Sequence, residues 1–385
     1  MIFKLSKVWK SFRFIEKLQI FFVILIALFA CFYGLDSAPL EKWDEKAYFE
    51  IVKTSLENNS FLIPTLESND ADFYNITQNN NHYYEKPPLW FWAAYAFSYL
   101  FGLNILSLRL ISAISGFLII LLIIYIGTKH WNLKIGLMSA LIFMTTGHMF
   151  ISNAGNIFST HNIRSINPDI LHILFILLSQ IFALRYVENR KNLSLYLLGV
   201  FAGLAILTKG FFPLITPLIF LFYILFIERI KFPQFIIIIS KILTPLLIIV
   251  VPWYFYAYLH GGNEFIVNHF LYHNISRIIW SLDGHQKTWY FHIVNLLTPQ
   301  IFLFSPFFLI GSFLIKNKIK EYFYFQLLIF PWVTLFIISM VQTRLSWYAL
   351  YIYPFASILA AIASQSLIEK TKSLFYPKDE RKKYV

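Results

Sequence analysis

An all-helical, multi-pass integral membrane domain is the fold class this sequence predicts, and three observations predict it. Of its 385 residues, 58% are apolar and only 14% charged, where a soluble domain carries about 25% charge. Apolar runs of about 20 residues, the length needed to cross a hydrocarbon core, recur from residue 18 to residue 367 between short polar breaks. The 32 basic and 20 acidic residues also divide unequally between alternate connections. These features exclude a soluble enzyme. Cys31 is the only cysteine, so no internal disulfide forms. The net charge of +12 is explained by its distribution across a membrane and does not indicate a nucleic-acid partner.

The elements follow in order. A basic start (Lys4, Lys7, Lys10, Arg13, Lys17) leads into an apolar run over 18 to 35, longer than a secretory core and without a small-residue cleavage site, so it reads as an uncleaved first span. Residues 36 to 88 form the largest loop, polar and rich in Asn, Asp and Glu. Within it, 41 to 57 has the spacing of an amphipathic surface helix, with Tyr48, Ile51, Val52 and Leu56 on one face. Residues 89 to 101 are aromatic but too short to cross, as in an interfacial helix. Further spans are expected at about 105 to 126, 135 to 153, 167 to 187, 193 to 208, 211 to 227, 233 to 258, 291 to 315, 322 to 341 and 348 to 367, giving about ten.

With the N-terminus inside, the inner connections hold 21 basic and 7 acidic residues and the outer ones 10 and 13, with Lys241 left over inside an apolar run. That asymmetry places both basic ends, including the tail 368 to 385, in the cytoplasm and the large loop outside. No repeat or linker divides the chain, so residues 1 to 385 read as a single membrane domain.

The topology gathers the unusual polar residues on the outer side. Ionisable groups at membrane depth face a cavity or each other more often than lipid, although each also reads as a marker of the water interface. Asp44 and Glu45 open the amphipathic segment at headgroup level, where a carboxylate can act as a general base or bind a sugar hydroxyl; the plain alternative is a solvated acidic pair. In Tyr84-Glu85-Lys86-Pro87-Pro88 the prolines forbid helix before them and favour a helix start after them. Glu85 and Lys86 are thereby held at the mouth of the aromatic helix, and a fixed ammonium at an acyl-chain boundary suits a lipid phosphate.

Pro168 starts a span with Asp169 in its first turn, where the helix dipole favours negative charge. Thr208-Lys209-Gly210 is an outward turn carrying another cation. A loop of about thirty residues holds Glu264, His269, His273, Arg277, Asp283 and His285, in which His269 and His273 have a helical spacing that permits a metal site, without the companion ligands of a known metal motif. Arg344 lies in a last outward turn.

Taken together, Trp43-Asp44-Glu45, Tyr84-Glu85-Lys86-Pro87-Pro88, Arg164 to Asp169, Leu207-Thr208-Lys209-Gly210, Pro252-Trp253-Tyr254, His273-Asn274 with Arg277, and Arg344 to Pro354 resemble the GT-C class of lipid-linked-sugar glycosyltransferases. The resemblance is to the ArnT-like aminoarabinose transferases and the protein O-mannosyltransferase superfamily, covers nearly the whole chain in order, and is most specific at Glu-Lys-Pro-Pro. It implies a catalytic role for Asp44, carrier-phosphate binding by Lys86, and a divalent metal such as zinc, manganese or magnesium associated with Glu85 and His273. Ala47 stands where the aminoarabinose type carries an arginine, with Lys46 beside it, so carrier contacts are expected to differ. That type also continues into further spans and an extracytoplasmic domain, whereas this sequence ends in a basic tail, which leaves the acceptor open.

The reaction so implied moves a sugar from a polyprenyl-phosphate donor to a lipid, glycan or protein acceptor on the outer face of a bacterial inner membrane. Asp44 and Asp169 are the candidate catalytic residues, with Asp169 orienting the acceptor or Lys86. Glu45, Lys86, Lys209, Arg277 and Arg344 are the candidate substrate-binding residues. A lipid or glycan transporter is the competing class, against which stands the gathering of charge at one face instead of the midplane.

Overall fold

The computed structural model describes residues 12–41, 43–66, 82–151, 161–282 and 284–375. It is helical almost throughout; the extended pairings among these residues are two isolated bridges, Thr65 with His82 and Gln286 with Thr343. Helix α1 (Phe14–Phe32) buries Ile20, Val23, Ala27 and Cys31 along one stripe and exposes Phe21, Phe22 and Phe29 around it, the pattern of a span with protein on one side only. Helix α2 (Asp44–Glu57) is the amphipathic helix of the large loop, and α3 (Leu89–Phe101) starts directly after Pro87-Pro88, burying Trp90, Phe91, Ala94 and Tyr95. Asn104 caps α4 (Ile105–His130) by accepting from the Ser107 amide. Asn132 likewise caps α5 (Leu133–Met144).

Helices α6 (Asp169–Asn189) and α7 (Asn192–Lys209) form a hairpin. An apolar stretch over Phe212–Ile227 contains α8 (Ile215–Phe222). Next, α9 (Phe232–Phe265) runs on into a π-wound segment, Ile266–Ser276. The last elements are α10 (Phe291–Leu297), α11 (Ser305–Ile315), α12 (Tyr322–Met340), a 3₁₀ segment Ser346–Ile352, and α13 (Tyr353–Phe375).

Seven helical stretches among the described residues are long and apolar enough to cross a membrane: Phe14–Phe32, Ile105–His130, Asp169–Asn189, Asn192–Lys209, Phe232–Ile279, Tyr322–Met340 and Ser346–Phe375. The other three expected spans fall on shorter pieces. The run at 135 to 153 becomes α5, whose 12 residues rise only about 18 Å against a core of about 30 Å, and its end reaches 152–160, outside the described residues. The run at 211 to 227 yields the short Phe212–Ile227 stretch. The run at 291 to 315 is broken, because Pro299 and Pro306 end one helix and begin the next. A count of ten is therefore not reached by long helices.

Close backbone approach holds the bundle together. A Cβ on Gly199 of α7 would lie 2.1 Å from the Ile242 carbonyl oxygen of α9, and one on Gly311 of α11 only 2.0 Å from that of Leu359 in α13. Small residues at such crossings supply the dispersion contact that replaces hydrophobic drive in lipid. Helix α13 is buried along its first half, from Tyr353 to Ala363, and packs against α5 and α11. The polar loops collect at the end of the bundle where α2, α3 and the start of α6 lie.

Candidate active site

Two clusters of charge form there. The first begins at α2, where Asp44 Oδ2 accepts from His161 Nε2 at 2.8 Å. The other ring nitrogen of His161 meets Asp169 Oδ2 at 2.7 Å, and the Lys209 ammonium pairs with Asp169 Oδ1. Asp44, His161, Asp169 and Lys209 thus form one continuous chain. His161 and Asp169 are buried, while the Asp44 side chain keeps 34% of its surface open. Among the described residues Asp44 Oδ1 has no hydrogen-bond partner. The indole of Trp347 covers the His161 ring in a parallel stack at 4.1 Å.

Local sequence explains this placement. Asn167 Oδ1 accepts from the amides of Asp169 and Ile170, capping α6, while its Nδ2 donates to the carbonyls of Asn162 and Ser165. This folds residues 161 to 168 into a compact loop against the start of α6. Arg164 closes the loop from outside by donating to the carbonyls of Ala30, Tyr33 and Gly34 at the end of α1.

The second cluster is built on the proline turn. Glu85 pairs with Lys86, with His273 Nδ1 at 3.5 Å and with Arg277 Nη2 at 3.9 Å. His269 Nδ1 donates to the Tyr84 carbonyl at 2.9 Å, and its Nε2 meets the Tyr254 hydroxyl at 3.1 Å. His269 therefore anchors the proline turn to α9 and is not paired with His273 toward a metal. The π winding of Ile266–Ser276 brings His273 to Glu85, and such windings are frequent at functional sites. Glu85 and Lys86 lie close enough to act on the charge of Asp44, so both clusters belong to one site.

Burial raises the cost of charge on Asp44, but the His161 imidazolium outweighs it and holds the carboxyl below its ordinary range. Burial likewise works against charge on Glu85, and His273, Lys86 and Arg277 together outweigh it, so this carboxyl too sits well below the usual range. For His161, desolvation opposes protonation and the two aspartates overcome it, raising its pKa above 6.5.

Two expectations are corrected. Glu45 is fully buried and accepts two bonds from Arg109, at 2.7 and 2.8 Å, and one each from the amides of Ile166 and Glu41. All its acceptor capacity is used inside the fold, which leaves none for a sugar hydroxyl. Arg344 joins neither cluster: its guanidinium donates to the carbonyls of Lys287 and Ser339, tying a loop to the end of α12. Asp44, Asp169, Lys86, Lys209, Arg277, Glu85 and His273 are brought together, although the Lys209 ammonium is committed to Asp169. Asp283 lies outside the described residues. His161 and Arg109 were not singled out from the sequence: His161 lies 117 positions from Asp44, and the only signal was a histidine opening the polar run before Asp169.

The donor set does not fit a divalent ion. No group of three His, Cys, Asp or Glu side chains that could hold one occurs among the described residues. Glu85 and His273 approach each other through Glu85 Oε1, the same oxygen that faces Lys86 and Arg277, so two cations compete for it with any metal.

Comparison with known proteins agrees with this architecture. Residues 85–256 match the family model of dolichyl-phosphate-mannose-protein mannosyltransferase. A protein of Aquifex aeolicus is 28% identical over 346 residues, covering 89% of this chain and 72% of its own length. An undecaprenyl phosphate-alpha-4-amino-4-deoxy-L-arabinose arabinosyl transferase of Pseudomonas fluorescens is 26% identical over 290 residues, 72% of this chain and 46% of the transferase. Among solved structures, ArnT from Cupriavidus metallidurans bound to undecaprenyl phosphate superposes with a TM-score of 0.74 at 18% identity, over 91% of this chain and 62% of ArnT. The oligosaccharyltransferase AglB of Archaeoglobus fulgidus gives 0.61 at 10% identity, over 95% and 52%. The chain spans less than two thirds of these solved structures and about half of the Pseudomonas transferase. It is a multi-pass integral membrane protein that shares the GT-C fold of these solved structures, and its residues 85–256 are similar to the mannosyltransferase family model.

Proposed function

We propose that the chain is a membrane glycosyltransferase that moves a sugar from a polyprenyl-phosphate donor to a lipid, glycan or protein acceptor at the outer face of a bacterial inner membrane. The observation that carries this reading is Asp44 Oδ1, which has no hydrogen-bond partner among the described residues, on the side of the Glu85–Lys86–Arg277 cluster, a base next to a pair of cations. The kinship with transferases named for undecaprenyl and dolichyl phosphate carriers supports the donor class, and the excess of basic residues in the inner connections supports the outward site.

In the proposed step, the acceptor oxygen bonds to the anomeric carbon as the bond from that carbon to the carrier phosphate breaks. The bonding pair leaves on the phosphate, where Lys86 and Arg277 stabilise the growing negative charge. The acceptor proton passes to Asp44 Oδ1. One displacement inverts the anomeric centre. The two cations supply the charge stabilisation that a divalent ion would give, so the step needs none. A transporter reading is disfavoured because these charges sit at the end of the bundle and not at its midplane.

Transfer of radiolabelled sugar from polyprenyl phosphate by the purified chain tests the reading. Asp44→Asn is expected to lower turnover at least about a hundredfold with insertion intact, the usual loss on removing a general base. Near-normal turnover by that variant would overturn the role of Asp44. Failure of the wild type to transfer from any polyprenyl-phosphate sugar to envelope lipid, glycan or protein would overturn the function.

A further inference from the structure

We propose that His161 is a positioning residue of the transfer site, a doubly protonated imidazolium that pins Asp44 Oδ2 and so leaves Oδ1 as the single oxygen offered to the acceptor. This rests on the glycosyltransferase reading above and adds to it a residue and a charge state.

The argument starts from hydrogen-bond capacity. A neutral imidazole has one N–H donor and one acceptor nitrogen, yet both ring nitrogens of His161 lie 2.7–2.8 Å from a carboxylate oxygen. Asp169 is ionised by its pairing with Lys209. Unless Asp44 carries a proton, His161 must therefore donate from both nitrogens. The resulting chain, Lys209⁺, Asp169⁻, His161⁺ and Asp44⁻, is neutral overall, which makes its burial tolerable where a lone charge would not be.

Two further observations agree. His161 adopts φ +62°, as does Trp43 (φ +71°) immediately before Asp44; such left-handed backbone is uncommon outside glycine and is retained where surroundings over-determine it. The parallel Trp347 ring at 4.1 Å excludes water from one face of the imidazolium and attracts its charge. The other groups around the chain are His148, whose Nδ1 meets the Tyr353 hydroxyl at 2.7 Å, and Tyr351, whose hydroxyl lies between Asp169 and His172. Neither adds a competing negative charge; on the Asp44 side Glu85 does add one, and the Lys86 ammonium paired with it opposes that effect.

The consequence is a pH dependence of definite sign. Because the His161 pKa is raised above 6.5, its clamp is fully present below that value and is lost as the pH rises through the folded-state pKa. A neutral His161 keeps one N–H for two carboxylates, so Asp44 Oδ2 and Asp169 Oδ2 compete for it and the hold on Asp44 weakens.

The test has two arms on the full-length protein in detergent. In ¹⁵N-histidine NMR of the wild type, one ring is expected to keep both nitrogens protonated above pH 6.5. That signal disappears in His161→Gln and titrates at lower pH in Asp44→Asn. In the transfer assay, His161→Phe, which keeps the stack on Trp347 but donates nothing, is expected to lower kcat about a hundredfold, the cost of misplacing a reacting group by about 1 Å, with little change in the KM for the polyprenyl donor. His161→Gln, with one donor left for Asp44, recovers part of that loss and lacks the alkaline fall of kcat seen in the wild type. The proposal is overturned if no histidine signal shows both nitrogens protonated above pH 6.5, or if both variants keep the wild-type kcat and alkaline limb. A wild type that shows the NMR signature but transfers no sugar refutes the proposed function instead, and leaves the clamp standing.

Discussion

Glu45 stands next to the candidate base in sequence, and Glu45→Gln is expected to fail by a different route, through folding. Its carboxylate receives four hydrogen bonds, two of them from Arg109, and Arg109 also donates to the carbonyls of Leu35, Ala38 and Pro39. One ion pair thus joins the chain after α1, the start of α2, the first turns of α4 and the loop before α6. An amide keeps one acceptor oxygen and presents N–H to an N–H donor at the other position. It also leaves a guanidinium that is 3% exposed without its counter-charge. Removing one partner of such a buried pair costs about 3–5 kcal/mol, about two to four powers of ten in the folding equilibrium. The assay is the fraction of protein still monodisperse on size exclusion after stepwise heating in detergent. Glu45→Gln should lose half of that fraction at a clearly lower temperature than the wild type, and Asp44→Asn at one much nearer to it, since Asp44 is partly open to solvent. Replacing Glu45 and Arg109 together by methionine should recover part of the loss, because no charge is then stranded. A Glu45→Gln protein as heat-resistant as the wild type would refute the structural role assigned here.

Lys86→Ala should weaken use of the polyprenyl-phosphate donor by about 2–5 kcal/mol, the usual penalty for truncating a desolvated charge pair, and an unchanged donor concentration dependence would remove Lys86 from the carrier site. Activity should survive exhaustive chelation, since two cations hold the Glu85 carboxylate; loss on chelation that zinc or manganese restores would show that Glu85 and His273 bind metal after all. Gly311→Val should disrupt the α11–α13 contact and lower heat resistance, because even a Cβ would sit 2.0 Å from the Leu359 oxygen; wild-type resistance would contradict the packing. With Cys31 replaced, Asp70→Cys should react with an impermeant reagent in intact cells and Glu380→Cys should not, and the reverse pattern would invert the orientation.

Apolar run length and the Lys/Arg asymmetry were enough, in the sequence alone, to identify a multi-pass helical membrane protein, because a chain in lipid must satisfy its backbone within each helix. The proline pair at 87 and 88 likewise marked the start of α3 and the place of Glu85 and Lys86, since proline geometry is local. What lay beyond local geometry was decided by tertiary structure. Nothing in the spacing distinguishes Asp44 from Glu45, yet one turns to the open side of α2 and the other into the bundle, where Arg109 waits 64 positions away. His161 acquires its meaning only when α2 and the start of α6 meet around it. Sequence patterns report which faces are apolar and where helices break. Which buried charge neutralises which depends on how the helices cross, and that is settled by packing between segments far apart in the chain.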